Sequence, residues 1–120
     1  MSSNSQKNQD APLLPVLNPE QMGMLREEGL LESLTVLFKE MAGTTIDAMA
    51  VALDSGDTRE LSAKAHLFKG SAVNFGADRL VAVCQEIELS ADRLDKASLE
   101  KLLDAVRAEY QLVSEALDAA

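Results

Sequence analysis

Ala65-His66-Leu67-Phe68-Lys69-Gly70-Ser71, followed by Phe75-Gly76-Ala77, holds the only histidine of this 120-residue chain. The segment from Asp57 to about Val73 reads as a helix, because Leu61, Ala65, Phe68 and Ala72 recur in 4-3-4 steps and form one apolar stripe. At about 100° per residue, His66 falls roughly 130° from the centre of that stripe and points mostly to solvent. Lys69 and Gly70 lie one turn on, with Ser62, Ala63 and Val73 on the same face and Arg59 further back. No acidic side chain shares that face. An exposed imidazole among small residues and cations suits a group that meets a large partner and carries negative charge.

The rest of the chain is as regular. Asn18 reads as an N-cap, Pro19 as the first helical residue and Gln21 as the far half of a capping box, so a short helix starts there and ends near Gly29. A long helix over about 30–54 follows, with Leu30, Leu34, Leu37, Met41, Thr45, Ala48 and Ala52 as its predicted core face. Ser55-Gly56 stops it, and Asp57-Thr58-Arg59-Glu60 is a second capping box that opens the histidine helix. Asn74-Phe75-Gly76 ends that helix. Leu80, Cys84, Ile87, Ala91 and Leu94 predict a helix over about 77–93. Leu99, Leu103, Val106, Tyr110, Val113 and Leu117 predict another over about 97–118. The fold expected is all-α: an antiparallel up-down four-helix bundle with a short N-terminal capping helix. Residues 1–17, rich in Ser, Asn and Gln, read as a flexible tail whose Leu13, Leu14, Val16 and Leu17 could dock on the body; residues 18–120 form the domain.

Composition narrows the function. The chain carries a net charge of −9, which argues against nucleic acid as a partner. Residues 58–79 nevertheless hold four cations against two carboxylates, so the histidine segment is net basic in an acidic protein. The single cysteine implies no disulfide. No signal peptide and no transmembrane run is legible, so the expected location is cytoplasmic and away from membranes, with a monomer as the expected state.

Three chemistries compete for His66. A metal site needs three or four ligands, and one histidine with one thiol does not supply them. Cys84 as a nucleophile served by His66 conflicts with its place in the middle of an apolar stripe, where an inert core thiol is expected. Phosphate acceptance fits better: Lys69 at i+3 can offset phosphoryl charge, and mid-helix Gly70, at a cost of about 1 kcal/mol, leaves bare backbone for another protein to approach. Glu88, at the edge of its helix's apolar stripe, has two readings. Its carboxylate accepts from an imidazole nitrogen and fixes the tautomer, or it forms a boundary salt bridge with Lys69 or Arg93.

Taken together, Ala65-His66-x-Phe68-Lys69-Gly70-Ser71, then Phe75-Gly76-Ala77, Leu80, Cys84, Ile87 and Glu88, resemble the signature of histidine-containing phosphotransfer (HPt) domains of multistep two-component signalling. The resemblance covers about residues 18–118; Phe68, where the family often has Leu, is a mild departure. It implies that His66 is the phosphorylated residue, Lys69 the phosphoryl-side cation, Gly70 the clearance for a receiver domain and Glu88 a hydrogen-bond partner of the imidazole. It also implies a phosphocarrier without a catalytic site or cofactor of its own. The receiver of a hybrid sensor kinase or response regulator would bring the phosphorylated aspartate and the Mg²⁺, and would dock over Ser62, Ala63, Lys69, Gly70 and Val73. The competing reading is a helical module that binds and inhibits a receiver or kinase without carrying phosphate; a hydrolase comes third.

Overall fold

In the computed structural model, which describes residues 14–120, five helices follow one another and no strand occurs among the described residues: α1 (Pro19–Glu27), α2 (Leu31–Ser55), α3 (Thr58–Val73), α4 (Asp78–Ser90) and α5 (Lys96–Ala119). Each boundary has a local cause. Asn18 Oδ1 accepts the Gln21 N–H at 3.1 Å, with Pro19 at the first helical position. Asp57 accepts from Glu60 N–H at 3.0 Å to open α3, and Asp95 from Ser98 N–H at 2.8 Å to open α5. Both expected capping boxes are only half made. The Asn18 N–H donates to the Phe75 carbonyl and the Asp57 N–H to that of Ala52, so neither donor awaits a side chain from the third helical residue. Gln21 Nε2 instead donates to the Val73 carbonyl at 3.0 Å, tying α1 to the end of α3.

α2, α3, α4 and α5 touch in a closed ring, each packing against its sequence neighbours and α5 returning to α2, while α1 packs on α2. The stripes expected on α3, α4 and α5 are the core: Leu61, Ala65, Phe68 and Ala72 are 0–1% exposed, and Leu80, Cys84 and Ile87 are fully buried. All four aromatic rings of the chain meet in one cluster. Phe38 lies 5.7 Å from Phe68, 5.1 Å from Phe75 and 5.7 Å from Tyr110. Each fully buried Phe or Leu contributes roughly 1.5–3 kcal/mol.

Two expectations are corrected. The buried face of α2 is Phe38, Ala42, Thr45, Ile46, Met49, Ala52 and Leu53; Leu37 is 60% exposed and Leu30 is exposed too. The helix is rotated so that Phe38, rather than Leu37, enters the aromatic cluster. α4 also stops at Ser90, short of 93, because Arg93 and Leu94 both donate backbone N–H to the Ser90 carbonyl and the chain turns into α5 there.

The tail lies mainly on residues 1–13, outside those described; of its apolar set, Val16 and Leu17 are half-buried against the core and Leu14 is exposed. No helix among the described residues is long and apolar enough to cross a membrane.

Candidate functional site

α3 holds its register rigidly. Four buried residues fix its inner face, and its C-terminal end closes on Gly76 at φ +62°, with Gly76 and Ala77 donating back to the Val73 and Ala72 carbonyls. That glycine is doubly required. Its backbone is left-handed, and a Cβ there would run into Asn18 Cβ and approach Gln21 Oε1 to 2.6 Å. α1 therefore sits against the turn that ends the histidine helix. With α3 so fixed, the His66 side chain stands on the opposite face from Phe68, 67% exposed.

α4 brings the second half of the site. Cys84 and Ile87 set its inward face, which leaves Glu88 at the boundary with its side chain 21% exposed. The Ser62 hydroxyl donates to the Glu88 backbone carbonyl at 2.8 Å and joins the two helices beside the histidine. The Glu88 carboxylate then bridges two groups of α3: Oε2 is 2.7 Å from His66 Nδ1, and Oε1 accepts from Lys69 Nζ at 2.7 Å. One carboxylate thus makes both contacts, with the imidazole and with Lys69. Arg93 turns instead to the Ser90 hydroxyl at 3.2 Å.

The electrostatics follow from that bridge. The hydrogen bond from Lys69 and, less strongly, that with His66 hold the Glu88 carboxyl below its ordinary pKa against the cost of partial burial. An ionised carboxylate only accepts, so Nδ1 carries a proton; in the neutral ring the lone pair then lies on Nε2, the nitrogen not facing Glu88. Cys84 is fully buried, and that burial pushes its thiol up to about 12, as for an inert core cysteine.

The structure brings His66, Lys69 and Glu88 into direct contact and leaves Ala63, Gly70 and Val73 exposed on the same face of α3. A Cβ at Gly70 would meet nothing within 4 Å, so no contact inside the chain asks for glycine there. Ser62 lies beside His66 with its hydroxyl donating to the Glu88 backbone carbonyl. Sequence reasoning missed the far wall of the site. An open groove of about 690 Å³ runs from Arg59 past Ala63 and His66 to Leu89 and Asp92 at the end of α4. Its signal was Leu89, a large apolar residue off the core stripe of α4 and next to Glu88. Among the described residues no group of three or more His, Cys, Asp or Glu side chains is placed to hold a metal ion.

The family model of the Hpt domain matches residues 33–116, from the start of α2 to near the end of α5. The crystal structure of histidine-containing phosphotransfer protein B from Pseudomonas aeruginosa PAO1 is similar to this one with a TM-score of 0.73. The identity is 27%, over 88% of this chain and 93% of that one. None of the curated proteins matches the chain. A family model that spans most of the helical body, an all-helical fold shared with a solved phosphotransfer protein and a lone exposed histidine on α3 lead to one conclusion: this chain belongs to the Hpt domain family, the histidine phosphotransfer modules of two-component phosphorelays.

Proposed function

We propose that His66 is the phosphoryl acceptor and donor of this chain, taking the group from a receiver aspartate and passing it to another. The observation that carries the reading is the Glu88 bridge. Its oxygen lies 2.7 Å from Nδ1 of an exposed ring, which supports a neutral imidazole with the proton on Nδ1 and the lone pair on Nε2.

In the forward step the Nε2 lone pair attacks phosphorus, the N–P bond forms, and the acyl P–O bond breaks with its electrons leaving on the receiver's carboxylate. No proton needs to move. The ring becomes cationic with the proton still on Nδ1, and the Glu88 carboxylate facing that proton offsets the new charge. Transfer onward reverses the same bonds. Lys69 donates to Glu88 and helps to keep that carboxylate ionised, and as a cation one helical turn from His66 it offsets phosphoryl charge. The chain is a carrier in this reading, with in-line geometry and Mg²⁺ belonging to the receiver.

The same reading takes the ring of α2 to α5 as an antiparallel up-down bundle with α1 capping one end, supported by the short connections and by the hydrogen bonds of Asn18 and Gln21 to the α3–α4 turn. It takes the protein as a cytoplasmic monomer, in keeping with partners that are receiver domains of a hybrid kinase or response regulator.

The test is phosphoryl transfer from phosphorylated receiver domains to the wild-type chain and to His66→Gln. Acid-labile, alkali-stable label is expected on the wild type alone, with the thermal midpoint of the variant within a degree or two, because an exposed helical position tolerates the change. Label retained by His66→Gln removes the assignment. Receiver binding without label on either chain favours a docking module that carries no phosphate.

A further inference from the structure

The groove between α3 and the end of α4 has features that transfer at Nε2 does not use. Leu89 is 61% exposed at its rim, beside Glu88, and no described residue covers it. Between Leu89 and His66 the lining residues Ala63 and Ala91 are small, which leaves room for an apolar side chain from outside. Arg59 and Asp92 line the same groove, and neither forms an ion pair among the described residues, whereas Lys64, Lys69 and Arg79 all do.

We propose that this groove selects the receiver, with Leu89 as the apolar anchor and Arg59 as the cation that steers the receiver's acidic face, separately from the chemistry of His66. The inference rests on the carrier reading above. Continuity gives the occupant: His66 and Glu88 belong to the groove wall, so a domain that brings phosphorus to Nε2 must lie over it. Arg59 is the one arginine or lysine lining the groove, beside Asp92 and a Glu88 that Lys69 already pairs, and it belongs to the net-basic segment of a chain of net charge −9. A partly exposed apolar anchor among small neighbours, flanked by unpaired charges, is the arrangement in which few residues carry most of an interface's affinity. Leu67 and Val73 on α3 and Leu30, Val36 and Leu37 on α2 are exposed too, but Leu89 alone lines the groove with His66.

The experiment compares two phosphodonors on the full chain: phosphoramidate, a small molecule that needs no docking surface, and a phosphorylated receiver domain that labels the wild type. Leu89→Asp and Arg59→Glu are each expected to take label from phosphoramidate at the wild-type rate within twofold. With subsaturating receiver each should be slowed at least about 10-fold. The Arg59→Glu loss should shrink as salt rises, since it acts through steering. Val36→Asp, in a separate groove lined by Leu31 and Leu117, should leave both reactions unchanged. Receiver transfer unaffected in Leu89→Asp and Arg59→Glu overturns the groove while the carrier reading stands. A wild type that takes label from phosphoramidate but from no receiver overturns the carrier reading and the groove with it.

Discussion

α2 and α3 pack side by side, yet they meet the core in different ways. α3 has one buried stripe, whose Leu61, Ala65, Phe68 and Ala72 are all but inaccessible, and an outer surface where His66 is exposed together with the isolated apolar side chains Leu67 and Val73. α2 carries apolar residues on more than one side. Phe38, Ala42, Ile46 and Met49 are buried, while Leu30, Val36, Leu37 and Val51 are exposed. A helix with one apolar face can be oriented only one way, whereas a helix with two is oriented by the shape of what it packs against. For α2 that shape is the aromatic cluster, where a planar ring at 38 stacks on Phe68 and meets Phe75 and Tyr110. His66 thus stands on a helix whose buried stripe follows from spacing alone.

The largest effect expected from this contrast is in stability. Phe38→Ala should cost about 3–5 kcal/mol, because it empties the centre of the cluster. Leu37→Ala, one residue away, should change stability by no more than about 0.5 kcal/mol. Urea unfolding of both variants measures the difference. Comparable losses would mean that α2 turns its Leu30–Leu34–Leu37–Met41 side inward in solution, and the contrast between the two helices would collapse.

That contrast also explains what could be read before the fold was known. On α3, α4 and α5 the periodicity had one solution, so the core and the exposure of His66 followed from it. On α2 the same 4-3-4 rule admitted two faces, and residue volume, which periodicity ignores, chose between them. At the site, spacing placed His66, Lys69 and Gly70 on one surface because all three belong to one helix. The partner of Glu88 stayed open because it depends on how α4 lies against α3, a tertiary relation that no intrahelical spacing contains. The Ser62 bond to the Glu88 backbone and the exposure of Leu89 depend on the same packing, and neither was anticipated.

Glu88 gives the next test of how the two faces of α3 cooperate. Its charged state stabilises the site. Because its pKa is lowered in the folded chain, that stabilisation is fully present above the ordinary carboxyl pKa of 4.5 and is lost as pH falls through the depressed folded value. At neutral pH the bridge is intact. Glu88→Ala should slow receiver transfer by about 10- to 100-fold by freeing the ring and its tautomer. Glu88→Gln, which keeps an acceptor oxygen without the charge, should lose less. The decisive readout is ring-nitrogen NMR of His66, where Glu88→Ala should shift the proton from Nδ1 towards Nε2. An unchanged tautomer with an unchanged rate would reduce Glu88 to a boundary ion pair with Lys69.

The smallest effect is the most diagnostic of why the outer face of α3 is built as it is. Gly43 of α2 and Gly70 of α3 both lie inside helices, and an added Cβ meets nothing within 4 Å at either. Alanine at either should therefore raise stability by about 0.5–1 kcal/mol, since it removes a flexible residue from a helix without a clash. Only Gly70 lies one turn from His66. Gly70→Ala should thus be more stable and a slower acceptor from receivers, while accepting from phosphoramidate normally; Gly43→Ala should be more stable and unchanged in both reactions. Opposite signs in stability and transfer at one position, against a single sign at the other, identify a residue kept for the partner at the expense of the helix. Equal behaviour of the two variants would make Gly70 an ordinary helix defect, and the close approach of a receiver would then have to be borne by Ala63 and the groove beside it.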